Sequence, residues 1–178
     1  MKILVTAASR HGATAEIAGL LAERLAARGH EGDLRPPEEV EDLQGIEAVV
    51  LGSAVYAGMW LKTARDAVDR LGPDLRRLPV WLFSSGPLGD PPLPHEEPDV
   101  AGLVAATGAI EHRTFPGALD LHKLQYSERL IVRASHVPEG DFRDPAAVRE
   151  WAERIDAHLR AGPRPARQGV TDGGEAAA

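Results

Sequence analysis

Residues 6–18 read Thr-Ala-Ala-Ser-Arg-His-Gly-Ala-Thr-Ala-Glu-Ile-Ala, a stretch that leaves an apolar run and enters a helical pattern. Upstream, Lys2 to Thr6 (KILVT) suits a strand covered on both faces of a parallel sheet. Downstream, Ile17, Leu20, Leu21 and Leu25 recur at helical spacing, and Gly29 falls where a left-handed C-cap ends a helix. A strand that turns into a helix through Ser9-Arg10-His11-Gly12-Ala13-Thr14 leaves the first helical N–H groups without backbone partners, at the positive end of the helix dipole. An anion fits there: Gly12 lets the backbone approach closely, and Ser9 and Thr14 add hydroxyl donors. The same residues equally suit an ordinary helix start capped by Ser or Thr.

The rest of the chain repeats this alternation. His30 to Arg35 is short and polar, as an edge strand is, and Pro36-Pro37 closes it. Ile46 to Leu51 and Pro79 to Phe83 are apolar runs with the character of central strands, and Ile110 to Phe115 reads as a fifth. Between them, Leu61, Ala64, Val68 and Leu71 mark a helix that Gly72-Pro73 should stop, and Val100, Leu103 and Val104 mark another capped at Gly108. Residues 54–59 read as a loop. Asp144-Pro145 forms an N-cap followed by proline at the first helical position, opening a helix that turns Val148, Trp151, Ile155 and Leu159 inward. Within Gly117 to Gly140, residues 128–134 fit either a helical turn or a lid segment. Five strands alternating with helices imply a parallel sheet covered on both faces, with ligands at the carboxyl ends of its strands.

Composition narrows the function classes. The 178 residues fit one domain with a single good core, expected over 1–160, while 161–178 carry almost no large apolar residues and are expected to be an unstructured tail. A net charge of −7 disfavours non-specific binding to nucleic acid or anionic membrane. The absence of cysteine removes disulfides, thiolate metal sites and a Cys nucleophile. Among the seven histidines no pair stands four residues apart, so helical metal ligation has no support. No apolar run approaches the roughly 18 residues of a membrane span, and a cytoplasmic location is expected. Gly12 is followed by no lysine of a G-x-x-x-x-G-K-[ST] loop, and no G-x-G-x-x-G is present, which favours a mononucleotide over a nucleoside triphosphate or dinucleotide.

Two more loops follow central strands. Gly52-Ser53-Ala54-Val55-Tyr56-Ala57-Gly58-Met59-Trp60 sets small residues beside two large aromatics in a chain only 4% aromatic, a combination that admits a flat ring against backbone and stacks it on a wall. Ser84-Ser85-Gly86-Pro87-Leu88-Gly89 offers N–H groups and rigid turn geometry at the next strand end.

The succession of strand, S-R-H-G-A-T, helix, then G-S-A-V-Y-A-G and S-S-G-P resembles the flavodoxin-like family over about residues 1–160. It is most similar to the branch containing the menaquinone-dependent protoporphyrinogen oxidases. The resemblance implies a three-layer α/β sandwich with a five-stranded parallel sheet in the order 2-1-3-4-5, binding FMN noncovalently. It implies that Ser9, Arg10, His11, Gly12, Ala13 and Thr14 hold the FMN phosphate. Ser53, Ala54, Val55 and Tyr56 would flank the isoalloxazine ring on one side, and Ser84, Ser85, Gly86, Pro87, Leu88 and Gly89 on the other. His11 stands where ordinary flavodoxins carry Ser or Thr. The oxidase branch carries a more basic segment after the last strand, whereas Leu119 to His136 here contains Lys123, Arg129 and Arg133. The implied activity is electron or hydride transfer through flavin, as an oxidase or dehydrogenase, a quinone- or NAD(P)H-linked reductase, or a non-enzymatic carrier. The expected partner is a redox protein or a small acceptor such as a quinone; a homodimer is among the assemblies the sequence allows.

Overall fold

The computed structural model of the chain describes residues 1–86, 98–123 and 139–162. Its centre is a parallel sheet of β1 (Lys2–Ala8), β2 (Glu31–Leu34), β3 (Ala48–Tyr56), β5 (Val80–Ser85) and β6 (Glu111–Phe115), ordered β2-β1-β3-β5-β6, with the two-residue β4 (Met59–Trp60) antiparallel to the end of β3. Leaving β4 aside, this is the expected 2-1-3-4-5 order. The flanking helices are α1 (Ala13–Ala27), α2 (Lys62–Leu75), α3 (Ala101–Thr107) and α4 (Pro145–Ala161).

Two apolar layers hold the sandwich together. On one face, Ile3, Val5, Val50, Trp81 and Phe83 pack under α1 and α4 through Ile17, Leu21, Leu25, Trp151 and Ile155. On the other, Leu4, Val49, Leu51, Val80 and Leu82 pack under α2 through Ala64, Val68, Leu71 and Leu75. Alternation of side chains along each strand sorts these two sets onto opposite faces. A short pairing of β7 (Ala118–Leu119) with β8 (Gly140–Asp141) brings together the ends of the segment between them. The helical-turn or lid expectation at 128–134 lies outside the described residues, as does the tail beyond 162.

The structure corrects three local readings. Gly72-Pro73 does not stop α2, which continues to Leu75 because that side chain is fully buried against the sheet. Proline removes one N–H from the last turn, and the carbonyl left over belongs to exposed Asp69, where water can satisfy it. Residues 54–59 are no loop: β3 runs on to Tyr56 and turns back into β4 through Ala57 and Gly58, both at positive φ (49° and 73°). Finally, α1 starts without a Ser or Thr cap. Its N-cap is Gly12 at φ 94°, with no side-chain hydrogen bond. By contrast, Asp144 caps α4 as expected, its Oδ1 accepting from Ala146 N (2.9 Å) and Ala147 N (3.1 Å).

Candidate functional site

Register fixes where the polar loops lie. Ala8 pairs with Ser53, Ser53 with Ser84, and Ser84 with Thr114. The segments that follow therefore leave one carboxyl edge of the sheet side by side, and three of them are the stretches singled out above.

In the first turn, the Gly12 N–H donates to Ser9 Oγ over 3.0 Å, closing the loop on itself. The first backbone bond of α1 is Glu16 N to Gly12 O, at 2.9 Å. The amides of Ala13, Thr14 and Ala15 precede that bond and have no intrahelical acceptor. Thr14 is buried within the first turn, Ser9 and His11 are half-buried, and Arg10 is exposed. Glu16 would repel an anion from one turn below, but Arg143 pairs with it and with Asp141. The hydrogen bond to Asp141 dominates; burial opposes it, and Glu16 adds to it, so the guanidinium is held above its ordinary proton affinity.

In the second segment, Ser53 is fully buried. Its Oγ donates to Ala54 O (2.8 Å) and accepts from Leu61 N (2.9 Å), pinning the entry to α2. Gly52 has no alternative at its position, since a Cβ there would come within 2.2 Å of the Phe83 ring. Val55 is half-buried, while Tyr56 and its cross-strand neighbour Met59 are exposed at the rim. The hairpin tip is tied down by Asp99 N donating to Gly58 O over 2.9 Å.

In the third segment, Ser84 and Ser85 are both buried. Ser84 Oγ accepts from Trp60 Nε1 at 2.7 Å and lies 2.8 Å from His112 Nε2. Gly86 meets the strand ends on both sides: a Cβ on it would lie 3.2 Å from Val55 Cβ, and one on Gly117 would lie 3.5 Å from Gly86 Cα. Pro87, Leu88 and Gly89 lie outside the described residues.

The edge thus gathers Ser9 to Thr14, Ser53 to Tyr56 and Ser84 to Gly86. It also assigns their hydroxyls unevenly. Those of Ser53 and Ser84 are spent on the β3–β4 hairpin, so these residues reach the edge through backbone, whereas Ser9 keeps its hydroxyl proton to donate. The guanidinium of Arg10 lies over the Tyr56 ring, 5.2 Å from its centroid, and links the first turn to the hairpin. His112 and Arg143 carry no signal in the sequence: one sits in a strand, the other near a helix start, and neither belongs to a local pattern.

Neutral N–H donors, a left-handed glycine and the hydroxyls of Ser9 and Thr14 are a donor set suited to a phosphomonoester. Among the described residues no three His, Asp or Glu side chains gather as a metal site, and no helix is long and apolar enough to cross a membrane.

No curated protein matches the chain in sequence. Among solved structures, oxidised Flavodoxin 1 from Bacillus cereus is 16% identical with a TM-score of 0.62, covering 89% of this chain and 99% of that one. A flavodoxin from the domain Archaea is 15% identical with a TM-score of 0.53, over 86% of this chain and 99% of that one. The flavodiiron protein from Giardia intestinalis is 18% identical with a TM-score of 0.53, over 90% of this chain but 37% of its own. At these identities the likeness establishes the fold. The flavodoxin-domain family model matches residues 4–145, most of the chain, and the protein belongs to that family.

Proposed function

We propose that this chain binds FMN at the carboxyl edge of its sheet and works as a flavin-dependent electron-transfer protein. The observation that carries the reading is the start of α1. A glycine in the left-handed conformation opens the helix, no side chain caps it, and its leading amides stand beside two further strand ends. Ser9, Gly12, Ala13 and Thr14 would hold the phosphate, with His11 beside them. Backbone at Ser53 to Val55 and at Ser84 to Gly86, with the Tyr56 side chain, would flank the ring. When bound, the flavin supplies the redox chemistry; the protein positions it, shields it and sets its potential. Simple electron transfer requires no acid or base from the chain.

A second reading, a reductase or oxidase acting on a small molecule such as a quinone or protoporphyrinogen, is favoured by the S-R-H-G-A-T and G-S-A-V-Y-A-G likeness. Exposed Tyr56 and Met59 at the rim are where such a substrate could rest.

Purified protein should show flavin absorption, and heating should release FMN. Protein that stays colourless after incubation with FMN contradicts the proposal. Anaerobically reduced holoprotein mixed with quinones and with protoporphyrinogen separates the two readings. A carrier is oxidised slowly by all of them and rapidly only by a protein partner, whereas an enzyme turns over one of them.

A further inference from the structure

The cation–π contact between Arg10 and Tyr56 joins two loops that the chain separates by more than forty residues. Arg10 is the only basic side chain apart from His11 between residues 6 and 18. A phosphate-binding turn would be expected to aim such a charge at the anion its amides hold. Here it lies over a ring on the hairpin, 5.2 Å from the centroid. Tyr56 is the fixed member of the pair, because its hairpin is anchored three times: Trp60 to Ser84, Leu61 to Ser53, and Asp99 to Gly58. The backbone of the turn is also fixed, by Gly12 N to Ser9 Oγ. Set between these two tethered segments, the guanidinium is a strut that places a cationic group at the hairpin end of the site.

We propose that Arg10 is a specificity-determining residue for the ring end of the ligand rather than for its phosphate. This rests on the flavin reading above. A cation held beside the ring favours the more electron-rich, reduced form over the oxidised one. Stacking on the ring face of Tyr56 spares the guanidinium part of the entropy that an exposed arginine otherwise loses on being ordered.

The test compares FMN and riboflavin, which share the ring and differ in the phosphate, by fluorescence titration of the full chain and of its Arg10→Gln variant. Because the contact pre-orders the two loops before any ligand binds, Arg10→Gln should weaken both ligands alike, by up to about three- to fivefold, the limit set by the strength of an exposed cation–π pair. The midpoint potential of bound FMN should also move negative, by about 14–21 mV if the same factor separates the two redox forms in a two-electron couple. Tyr56→Phe, which keeps the ring face, should leave the effect of Arg10→Gln on both ligands in place. In a Tyr56→Leu background, Arg10→Gln should have little further effect on affinity or potential. Loss confined to FMN, with riboflavin untouched, overturns the proposal and assigns Arg10 to the phosphate; an unchanged potential overturns it too. Wild-type protein that binds neither ligand fails the flavin reading itself, a result distinct from any seen only in the variants.

Discussion

The indole Nε1 of Trp60 donates to the buried hydroxyl of Ser84 across 2.7 Å, and the same oxygen lies 2.8 Å from His112 Nε2. One serine thereby fastens the return strand of the β3–β4 hairpin to β5 and to edge strand β6. Removing it strands an indole N–H in an apolar layer, where an unpartnered donor costs about 1–3 kcal/mol. Ser84→Ala is expected to destabilise the protein by that amount in urea denaturation. A midpoint indistinguishable from wild type would mean that the chain contributes nothing.

Gly52 is a packing requirement of a different kind. Its missing side chain makes room for Phe83, whose ring a Cβ would meet at 2.2 Å. Gly52→Ala should therefore cost about 3 kcal/mol, at the upper end of overpacking effects. The double variant Gly52→Ala with Phe83→Leu should recover part of that loss, because the second change vacates the space. Simple additivity of the two destabilisations would show that the clash is relieved by some other movement.

Arg143 acts on the candidate site through charge. It neutralises Glu16, which stands in the first turn of α1 beneath the proposed phosphate site. In Arg143→Gln the carboxylate is left facing the anion, and FMN affinity should fall by about 0.5–1 kcal/mol, as expected of a partly exposed charge. Added salt should narrow the gap between variant and wild type, since it screens the repulsion. Equal affinities at low salt would exclude this role.

At the opposite end of α1, Asp156 is fully buried among Arg28, His30 and Arg160, at 2.8, 2.9 and 2.6 Å. Burial pushes its carboxyl upward, but the hydrogen bonds from those three side chains outweigh it and bring the pKa down to about 2. A folded-state pKa below the unfolded value means that the contribution is fully present above the ordinary carboxylate range and is lost as pH falls towards 2. Asp156→Asn should cost about 2–3 kcal/mol at neutral pH, the lower end for breaking a buried pair because both arginines reach solvent. The difference from wild type should shrink as pH drops from about 4 to 2. A constant difference across that interval would contradict the assignment.

Much of this architecture is legible in the sequence because the central strands are buried on both faces. KILVT, IEAVVL and PVWLF are apolar but for Lys2, Thr6 and Glu47, and no other element accommodates such runs so simply. The Asp144-Pro145 start and the Gly108 stop were equally plain, since each depends on chemistry local to the helix end. The hairpin is not legible because its turn is Ala-Gly, without the Asn-Gly or Asp-Gly pair that announces positive φ at both positions. Pro73 misled because Leu75 beyond it gains more from burial than the helix loses by one hydrogen bond. At the candidate site, sequence identified which segments reach the edge, but the partners of Ser53, Ser84 and Arg10 are tertiary. Leu61, Trp60, His112 and Tyr56 become neighbours only once the sheet is assembled.

The central claim is that FMN sits where the first turn, the hairpin and the end of β5 converge. The most direct test is an amide-resolved NMR titration of the full chain with FMN. The account predicts saturable shifts at one equivalent, largest at the amides of residues 12–15, with a second group at 53–57 and 84–86. Spectra unchanged by excess FMN, or shifts centred on Arg28, His30 and Asp156 at the other end of α1, would contradict it.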